Sequence, residues 1–514
     1  MGAGAGGVQN EAMGDTRSPL VEAMRRHGLG GAAVAIVRHG HRPDFECLGL
    51  ADRDTNTSVD PNTVFRIASI SKTMTAIGLM QLRDRGLVEL DDPVKKYLTT
   101  FTIEPPPGGP DVTFRHLLTH TSGIGELPRV ADMVRREAWG NGKPRAAAAD
   151  LGIMYRGTLR PETAAGAKWA YANHGFAVLG QLVEDISGGS FAEHMREHLF
   201  APLNMTSTAY TRTNSIDHRL ATGYHWVLGR LRPVKDYDLT LFGPGSVLST
   251  LSNMAAYAEW LLHGGPGTAG DVLRPESLAE MMTPQFSVHP RFPGMGLAFF
   301  LDHVGEHRVA GHDGNNPGFA SALLVAPDQG LGVVVLTNTA TFIGAHLLAQ
   351  SLLRSLLGVA DPVAEHSRTA LAEHPHIWSD LAGHYAPRPG FLTNARAWQL
   401  VGGEVQVAIK NRRLVIRSLS PLRQLRPWHV LHPTDGADGL LFAVNIEGLV
   451  VPVAFTREPT GRVDRVMVGP PANATFHRRA TLRSSRVRLR LAAAGSVAGV
   501  VYRARRRTQG RGIP

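Results

Sequence analysis

Phe65-Arg-Ile-Ala-Ser-Ile-Ser-Lys-Thr-Met-Thr-Ala76 is the stretch on which the reading of this chain turns. Ile77, Met80 and Leu82 continue it with helical spacing and Gly86 stops the run, so a helix is predicted over Ser71–Arg85. Ser69 and Lys72 stand three apart at its start, which puts their side chains on one face of the first turn. Free backbone N–H groups and the helix dipole favour negative charge there, as a developing oxyanion requires. A serine hydroxyl attacks poorly until a neighbouring base takes its proton. Lysine is such a base only where burial or positive neighbours lower its pKa, and arginine cannot serve at all. The chain holds 47 Arg against seven Lys, so a lysine at position 72 hints at chemistry that arginine cannot supply. Alone, the tetrapeptide says little, because a capping serine followed by a solvated lysine reads the same way.

Upstream, Leu20–His27 reads as a short helix. The apolar runs Ala32–Val37 and Phe45–Leu50, joined by a turn at Arg38–Pro43, read as a β-hairpin. Downstream, helices are clearest at Phe176–Ile186, Phe191–Phe200 and Met254–Leu262. Strand signals return at Gly296–Leu301, Ala320–Val325 and Gly332–Leu336, before a last helix at Leu347–Leu357. Strands at both ends of a helical middle predict an α+β fold, one antiparallel sheet flanked by helices and carrying a helical insert. At 514 residues the chain is too long for one ordinary domain. Beyond a linker, the short runs Val405–Ile409, Leu414–Arg417, Gly439–Val444, Leu449–Phe455 and Arg465–Val468 predict a small all-β barrel or sandwich. The expected divisions are a flexible leader over 1–18, a main domain over 19–360, the linker over 361–375, the all-β domain over 376–483 and a basic tail over 484–514.

The composition is globular, 43% hydrophobic and 19% charged. A formal net charge of +10 invites a nucleic-acid reading. From Arg478 onward, however, there are eleven Arg and no Asp or Glu, which leaves the body at about −1. Nucleic acid is therefore not an expected partner. The tail's apolar run Leu491–Tyr502 is twelve residues, short of the roughly 20 that span a bilayer. It suits either an amphipathic helix lying on a membrane surface or a solvated basic extension. The first thirty residues show no charged start followed by an apolar stretch, so no signal peptide is read. A cytoplasmic location is expected, with peripheral membrane contact through the tail left open. Gly2, Gly4 and Gly7 satisfy GxGxxG formally, but no strand precedes them and no helix follows. Cys47 is the sole cysteine, which excludes an intramolecular disulfide, and its strand context makes it buried filler rather than a nucleophile. His116 and His120 are four apart, as zinc ligands on a helix would be. The segment between them lacks the glutamate of HExxH and no third ligand is evident, so no metal and no organic cofactor are expected.

Two further segments bear on Ser69. In Trp169-Ala-Tyr-Ala-Asn-His-Gly175, a Tyr171 near Lys72 would relay a proton and the Asn173 amide would hold a substrate carbonyl. Gly311-His-Asp-Gly-Asn-Asn-Pro-Gly318 lies between strand-like segments and alone would pass for a hairpin turn. Gly314 would let backbone and substrate approach closely, and His312 offers a donor facing the site. Phe114-Arg-His-Leu-Leu-Thr-His-Thr-Ser-Gly123, Pro202-Leu-Asn-Met205, Gly245-Ser-Val-Leu-Ser249 and Gly332-Val-Val-Val-Leu-Thr-Asn338 complete the pattern. In this order the elements resemble the serine β-lactamase-related group of class C β-lactamases, D-alanyl-D-alanine carboxypeptidases, esterases and D-amino-acid peptidases. The likeness runs from about Leu20 to Leu357.

The resemblance implies a β-lactamase/transpeptidase-like fold with Ser69 as acylated nucleophile and Lys72 as its base. It implies Tyr171 as the partner that protonates the leaving group and Asn173 as a binder of the substrate amide. His312 and Gly314 take the place of the third motif, usually Lys-Thr-Gly in β-lactamases, and the N–H groups of Ser69 and Asn315 would form the oxyanion hole. His312-Asp313 departs from that pattern. A permanent lysine charge suits the carboxylate of a β-lactam or of a peptide C-terminus. Histidine gives a weaker charge that titrates around 6.5, and Asp313 adds a negative one. The resulting expectation is a serine hydrolase acting on a small ester, amide or D-amino-acid peptide. An acyltransferase using the same intermediate and a non-catalytic scaffold or ligand sensor are the alternatives. Loops such as Ala131–Arg160 would shape the pocket without naming a substrate. The all-β domain resembles the lipocalin-like C-terminal domain of several hydrolases in this group, on its strand spacing and its ending Ala474-Thr-Phe-His477.

Overall fold

The computed structural model describes residues 17–125, 140–264, 272–341, 343–360, 374–387, 404–419, 426–434, 439–446, 448–470 and 473–479. Leader residues 1–16, linker residues 361–373, loop residues 131–139 and the whole tail 484–514 lie outside the described residues. The chain divides into two compact units. One runs to Ser287 and resumes at Pro293–Asp361, and the other takes Val288–Phe292 and the described chain beyond Pro362. Val288–Phe292, which falls within the range expected for the main domain, thus belongs to the second unit.

The first unit is built on a seven-stranded sheet. Its strands are β1 (Gly31–Arg38), β2 (Asp44–Asp52), β3 (Thr57–Ser58), β4 (Phe300–Val304), β5 (His307–Asn316), β6 (Phe319–Ala326) and β7 (Leu331–Thr337). They lie in the order β4-β5-β6-β7-β1-β2-β3, every pair antiparallel. Val34 faces Val335 across β1 and β7, and Ala322 faces Val335 across β6 and β7.

Both faces of this sheet are covered, which is why β1, β6 and β7 read as unbroken apolar runs rather than as alternation. Ala32, Val34, Ala322, Leu324, Val333 and Val335 pack with Leu20 and Ala23 of α1 (Arg17–His27) and with Leu348, Ala349 and Leu352 of the C-terminal helix Gly344–Leu356. The opposite set, Ala33, Ala35, Leu323, Val325, Val334 and Leu336, joins a larger core with α2 (Ser71–Asp84), α3 (Asn173–Ser187) and α4 (Leu251–His263). The helix Gly344–Leu356 is α5. Helix α2 is buried along its whole length from Ser71 to Leu82. Its polar side chains are bonded accordingly: Thr73 donates to the Ile70 carbonyl, Thr75 to Gly243 and Gln81 to Val272.

The second unit is a closed barrel of eight antiparallel strands, each paired with its sequence neighbours. The strands are β8 (Gly383–Ala386), β9 (Val405–Lys410), β10 (Arg413–Ser418), β11 (His429–Pro433), β12 (Leu441–Ile446), β13 (Leu449–Arg457), β14 (Val463–Val468) and β15 (Ala474–Arg479). Pairing of β8 with β15 closes the ring, so each of these strands has a partner on both sides. Phe292, Leu441, Ala454 and Met467 form one of its apolar clusters. Among the described residues no helix is long and apolar enough to cross a membrane.

Candidate active site

Ser69 lies in a single 3-10 turn, Ala68–Ile70, that runs straight into α2. Lys72 is therefore the second residue of the α-helix, and Ser69 precedes that helix instead of sitting in its first turn. Ala68 is fully buried with φ of +50°, a left-handed conformation that costs a non-glycine residue about 1–2 kcal/mol. Its neighbours hold it there. The Ser321 hydroxyl donates to the Ile67 carbonyl at 2.8 Å, and the Ser71 hydroxyl donates to the Ala68 carbonyl at 2.6 Å. Ser71 also accepts the Val247 N–H at 3.2 Å and is wholly buried. The second serine of the motif is thus a fixture of the turn, and Ser69 is the one with a lysine at its oxygen.

Lys72 is completely buried, and its Nζ lies 2.9 Å from Ser69 Oγ, 2.7 Å from Asn173 Oδ1 and 2.6 Å from the Pro244 carbonyl. Two of these three partners can only accept. Once it has given up a proton, the amine would keep N–H bonds to Asn173 and Pro244 and turn its lone pair to the Ser69 hydroxyl, which carries a proton. With Oδ1 committed to Lys72, only the Nδ2 end of Asn173 could donate to a substrate carbonyl. The Tyr171 ring centroid lies 4.8 Å from the same Nζ.

The His-Asp-Gly part of the third segment is not a turn; the hairpin turn follows it at Pro317-Gly318. His312, Asp313 and Gly314 lie inside the ten-residue strand β5, paired with Leu323, Ala322 and Ser321 of β6. Its two glycines and run of polar residues hid the strand. Gly314 is required by contact: a Cβ there would fall 2.2 Å from the Ile67 carbonyl oxygen and 2.2 Å from Ser321 Oγ. Strand alternation puts Asp313 on the other face. Its carboxylate meets His346 Nδ1 of α5 at 2.9 Å, so the negative charge expected beside His312 is directed away from Ser69. Burial opposes the imidazolium of His346, but the charge and hydrogen bond of Asp313 outweigh it and raise that pKa. Asn315 follows, exposed and opposite Ala320.

His312 also differs from expectation. It is buried, and burial, helped by the charge of Lys72, pushes its pKa down to about 4. The titration near 6.5 expected from sequence is therefore not its own. Its Nδ1 lies 2.6 Å from the Asp313 carbonyl, to which it can only donate. A neutral ring that donates through Nδ1 presents a bare lone pair at Nε2. His312 thus offers an acceptor where a donor or cation was expected, and Nε2 has no partner among the described residues.

His120 is the residue that sequence reasoning undervalued. Its Nδ1 accepts the Ala172 N–H at 3.1 Å and its carbonyl accepts the Ala170 N–H at 2.8 Å, so both neighbours of Tyr171 hang from it. The two rings lie 4.4 Å apart. Burial first, then Lys72 and His312, drive its pKa well down, so the ring is neutral with its proton on Nε2. Trp169, Tyr171, His312 and Phe300 continue this wall, with neighbouring centroids 5.0 to 6.4 Å apart. His116, four residues before His120, serves the helix cap. Its Nδ1 accepts the Thr113 N–H at 3.2 Å and closes the cap of the helix Phe114–Leu118. The half-buried Cys47 thiol is pushed up to about 12 by burial, with Asp60 and Glu46 adding to the effect.

A family model described as Beta-lactamase matches residues 17–357. A human beta-lactamase-like protein is 27% identical over 348 residues, 64% of this chain and 65% of its own length, so the chain spans just under two thirds of that relative. Penicillin-binding protein 4 of Amycolatopsis lactamdurans is 30% identical over 389 residues, 72% of this chain and 96% of that protein. The octameric penicillin-binding protein homologue of Pyrococcus abyssi shares the fold with a TM-score of 0.59 at 22% identity, over 88% of this chain and 97% of its own. Members of this group are serine hydrolases that work through an acyl-enzyme, and this chain belongs to the Beta-lactamase family.

Proposed function

We propose that the protein hydrolyses a small uncharged ester or amide through an acyl-enzyme on Ser69. The observation that carries the reading is the cradle of Lys72, where the Ser69 hydroxyl lies 2.9 Å from Nζ beside two groups that can only accept, Asn173 Oδ1 and the Pro244 carbonyl. As Oγ bonds to the substrate carbonyl carbon, its proton passes to Lys72 Nζ. The resulting oxyanion is met by the N–H groups of Ser69 and Asn315. The bond to the leaving group then breaks as that group takes a proton delivered through Tyr171. Water repeats the sequence on the acyl-enzyme, releasing the acid and restoring the serine.

The uncharged preference rests on His312. Its bare Nε2 favours a substrate N–H or O–H and repels a carboxylate, where a lysine would attract one. The aromatic wall suits an apolar acyl group. D-amino-acid amides and peptides fit through their N–H groups, provided no free carboxylate meets His312.

The test pairs aromatic esters and D-amino-acid amides with analogues bearing a carboxylate, and follows Ser69 acylation by intact mass. Uncharged members are expected to acylate at least about tenfold faster, the value of one hydrogen bond. A reversed preference overturns the substrate assignment. No adduct from any ester, amide or β-lactam would support the non-catalytic scaffold. Acyl transfer to a dilute added alcohol in preference to water would support the acyltransferase.

A further inference from the structure

We propose that His39, Glu259 and His263 form a binding site for a zinc-like transition-metal ion, apart from the Ser69 chemistry. His39 follows β1 in the turn to β2, while Glu259 and His263 lie one helical turn apart near the C-terminal end of α4. Glu259 Oε1 is 3.2 Å from His39 Nδ1 and 3.9 Å from His263 Nε2, and one ligand atom from each residue lies within 4.8 Å of the others. A tetrahedral zinc with bonds of about 2.0–2.1 Å sets neighbouring donors roughly 3.3 Å apart, so small side-chain rotations complete the geometry.

An independent observation points the same way. Glu259 Oε1 takes the Gly40 N–H at 3.0 Å as well as His39, yet Oε2 is buried without a partner among the described residues. A buried carboxylate oxygen left unbonded is costly and calls for an explanation. A cation at the meeting point of the two imidazoles supplies one once the carboxylate turns to present Oε2 to it, leaving Oε1 to the Gly40 N–H. The rings stand at 86° with centroids 4.6 Å apart, converging edge to face instead of stacking. The backbone beneath them is fixed, since the His39 N–H donates to the Gly330 carbonyl at 2.9 Å and α4 packs into the core beneath the sheet.

Two imidazole nitrogens and one carboxylate oxygen suit zinc, nickel or copper better than magnesium or calcium. The imidazole side chains are 53% and 34% exposed, which leaves room for water to complete the coordination. The site lies at the C-terminal end of α4, whose thirteen residues span roughly 18 Å at 1.5 Å per residue. An ion there would clip the β1–β2 turn to α4.

The test uses the full chain, stripped with chelator and titrated with zinc chloride, with cobalt(II) absorption as the report of tetrahedral nitrogen and oxygen ligation. About one zinc per chain should survive desalting. His39→Ala, His263→Ala and Glu259→Gln should each weaken binding by roughly tenfold or more and abolish the cobalt bands. Circular dichroism and ester hydrolysis should remain those of the parent. Zinc retained with equal affinity by all three variants would assign it to other histidines among the 23 and overturn the proposal, as would a parent chain that retains none.

Discussion

Around Lys72 every N–H donor ends on a protein acceptor, whereas around Tyr171 three buried ring nitrogens, on His120, Trp169 and His312, end on none among the described residues. The two halves of the candidate site differ in how far their polar groups are bonded within the protein. The proposed proton-transfer pair, Ser69 and Lys72, works when it is already aligned, in keeping with bonds made within the protein. The proposed recognition surface must keep bonding capacity in reserve, and these three nitrogens are two N–H donors and one acceptor. Changes in the first half should therefore act on kcat, and changes in the second on the choice of substrate.

Breaking the bonded half should have the largest effects. Ser69→Ala removes the acyl acceptor, and turnover should fall on the order of 10⁶-fold, with no adduct by intact mass and an unchanged fold. An adduct on this variant would return attention to Ser71. Lys72→Arg keeps the charge but cannot take the Ser69 proton, so kcat should drop by about 10²–10⁴-fold, close to the loss in Lys72→Ala. A Lys72→Arg enzyme with parental kcat would mean that charge alone matters there.

Changes on the open half are smaller and selective. His312→Lys replaces an acceptor with a cation, so kcat/KM for uncharged esters should fall by about 10- to 100-fold while carboxylate-bearing substrates improve. In the parent enzyme no inflection between pH 5 and 8 should be traceable to His312, because its pKa lies at about 4. An ester rate profile whose midpoint near 6.5 vanishes in His312→Gln would break this account of the ring.

The least effect is on stability. His312 and His194 have native pKa values of about 4, set first by burial, against about 6.5 when unfolded. Between those values the unfolded chain binds more protons, so stability rises with pH there. Melting temperature should be level with respect to these groups above about pH 6.5 and decline from there toward pH 4. Each such imidazole adds about 1.4 kcal/mol per pH unit within that window. His346, raised by Asp313, works in the opposite sense, its contribution being lost as pH climbs above its pKa. A melting temperature unchanged from pH 7 to pH 4.5 would contradict the neutral state of these rings.

Periodicity exposed the apolar framework. Helix α2, the β1–β2 hairpin and strands β6 and β7 were legible because burial leaves long apolar runs. Strand β5 was not, because its work at Ser69 demands Gly314, and Asn315, Asn316 and Asp313 erase the β pattern. In the barrel, β8 with four residues and β11 with two His and a Pro gave no run to read. The closeness of Ser69 and Lys72 was legible from their spacing. The tautomer of His312 was not, because it is set by one carbonyl of the folded strand. Nor was the hold of His120 on Tyr171, which joins residues some fifty positions apart.

The pairing of β1 with β7 has a consequence for how the molecule is made. Val34 finds Val335 only when about 300 further residues have been translated. At about 5–20 residues per second, the ribosome leaves the nascent β1–β2 hairpin without its central neighbour for roughly 15–60 seconds. During that interval an apolar strand, buried on both sides in the finished sheet, shows an open edge with no charge before Arg38. Overproduction should therefore be limited by aggregation of incomplete chains, and slower, cooler synthesis or a surplus of chaperones that cover apolar strands should raise the soluble yield.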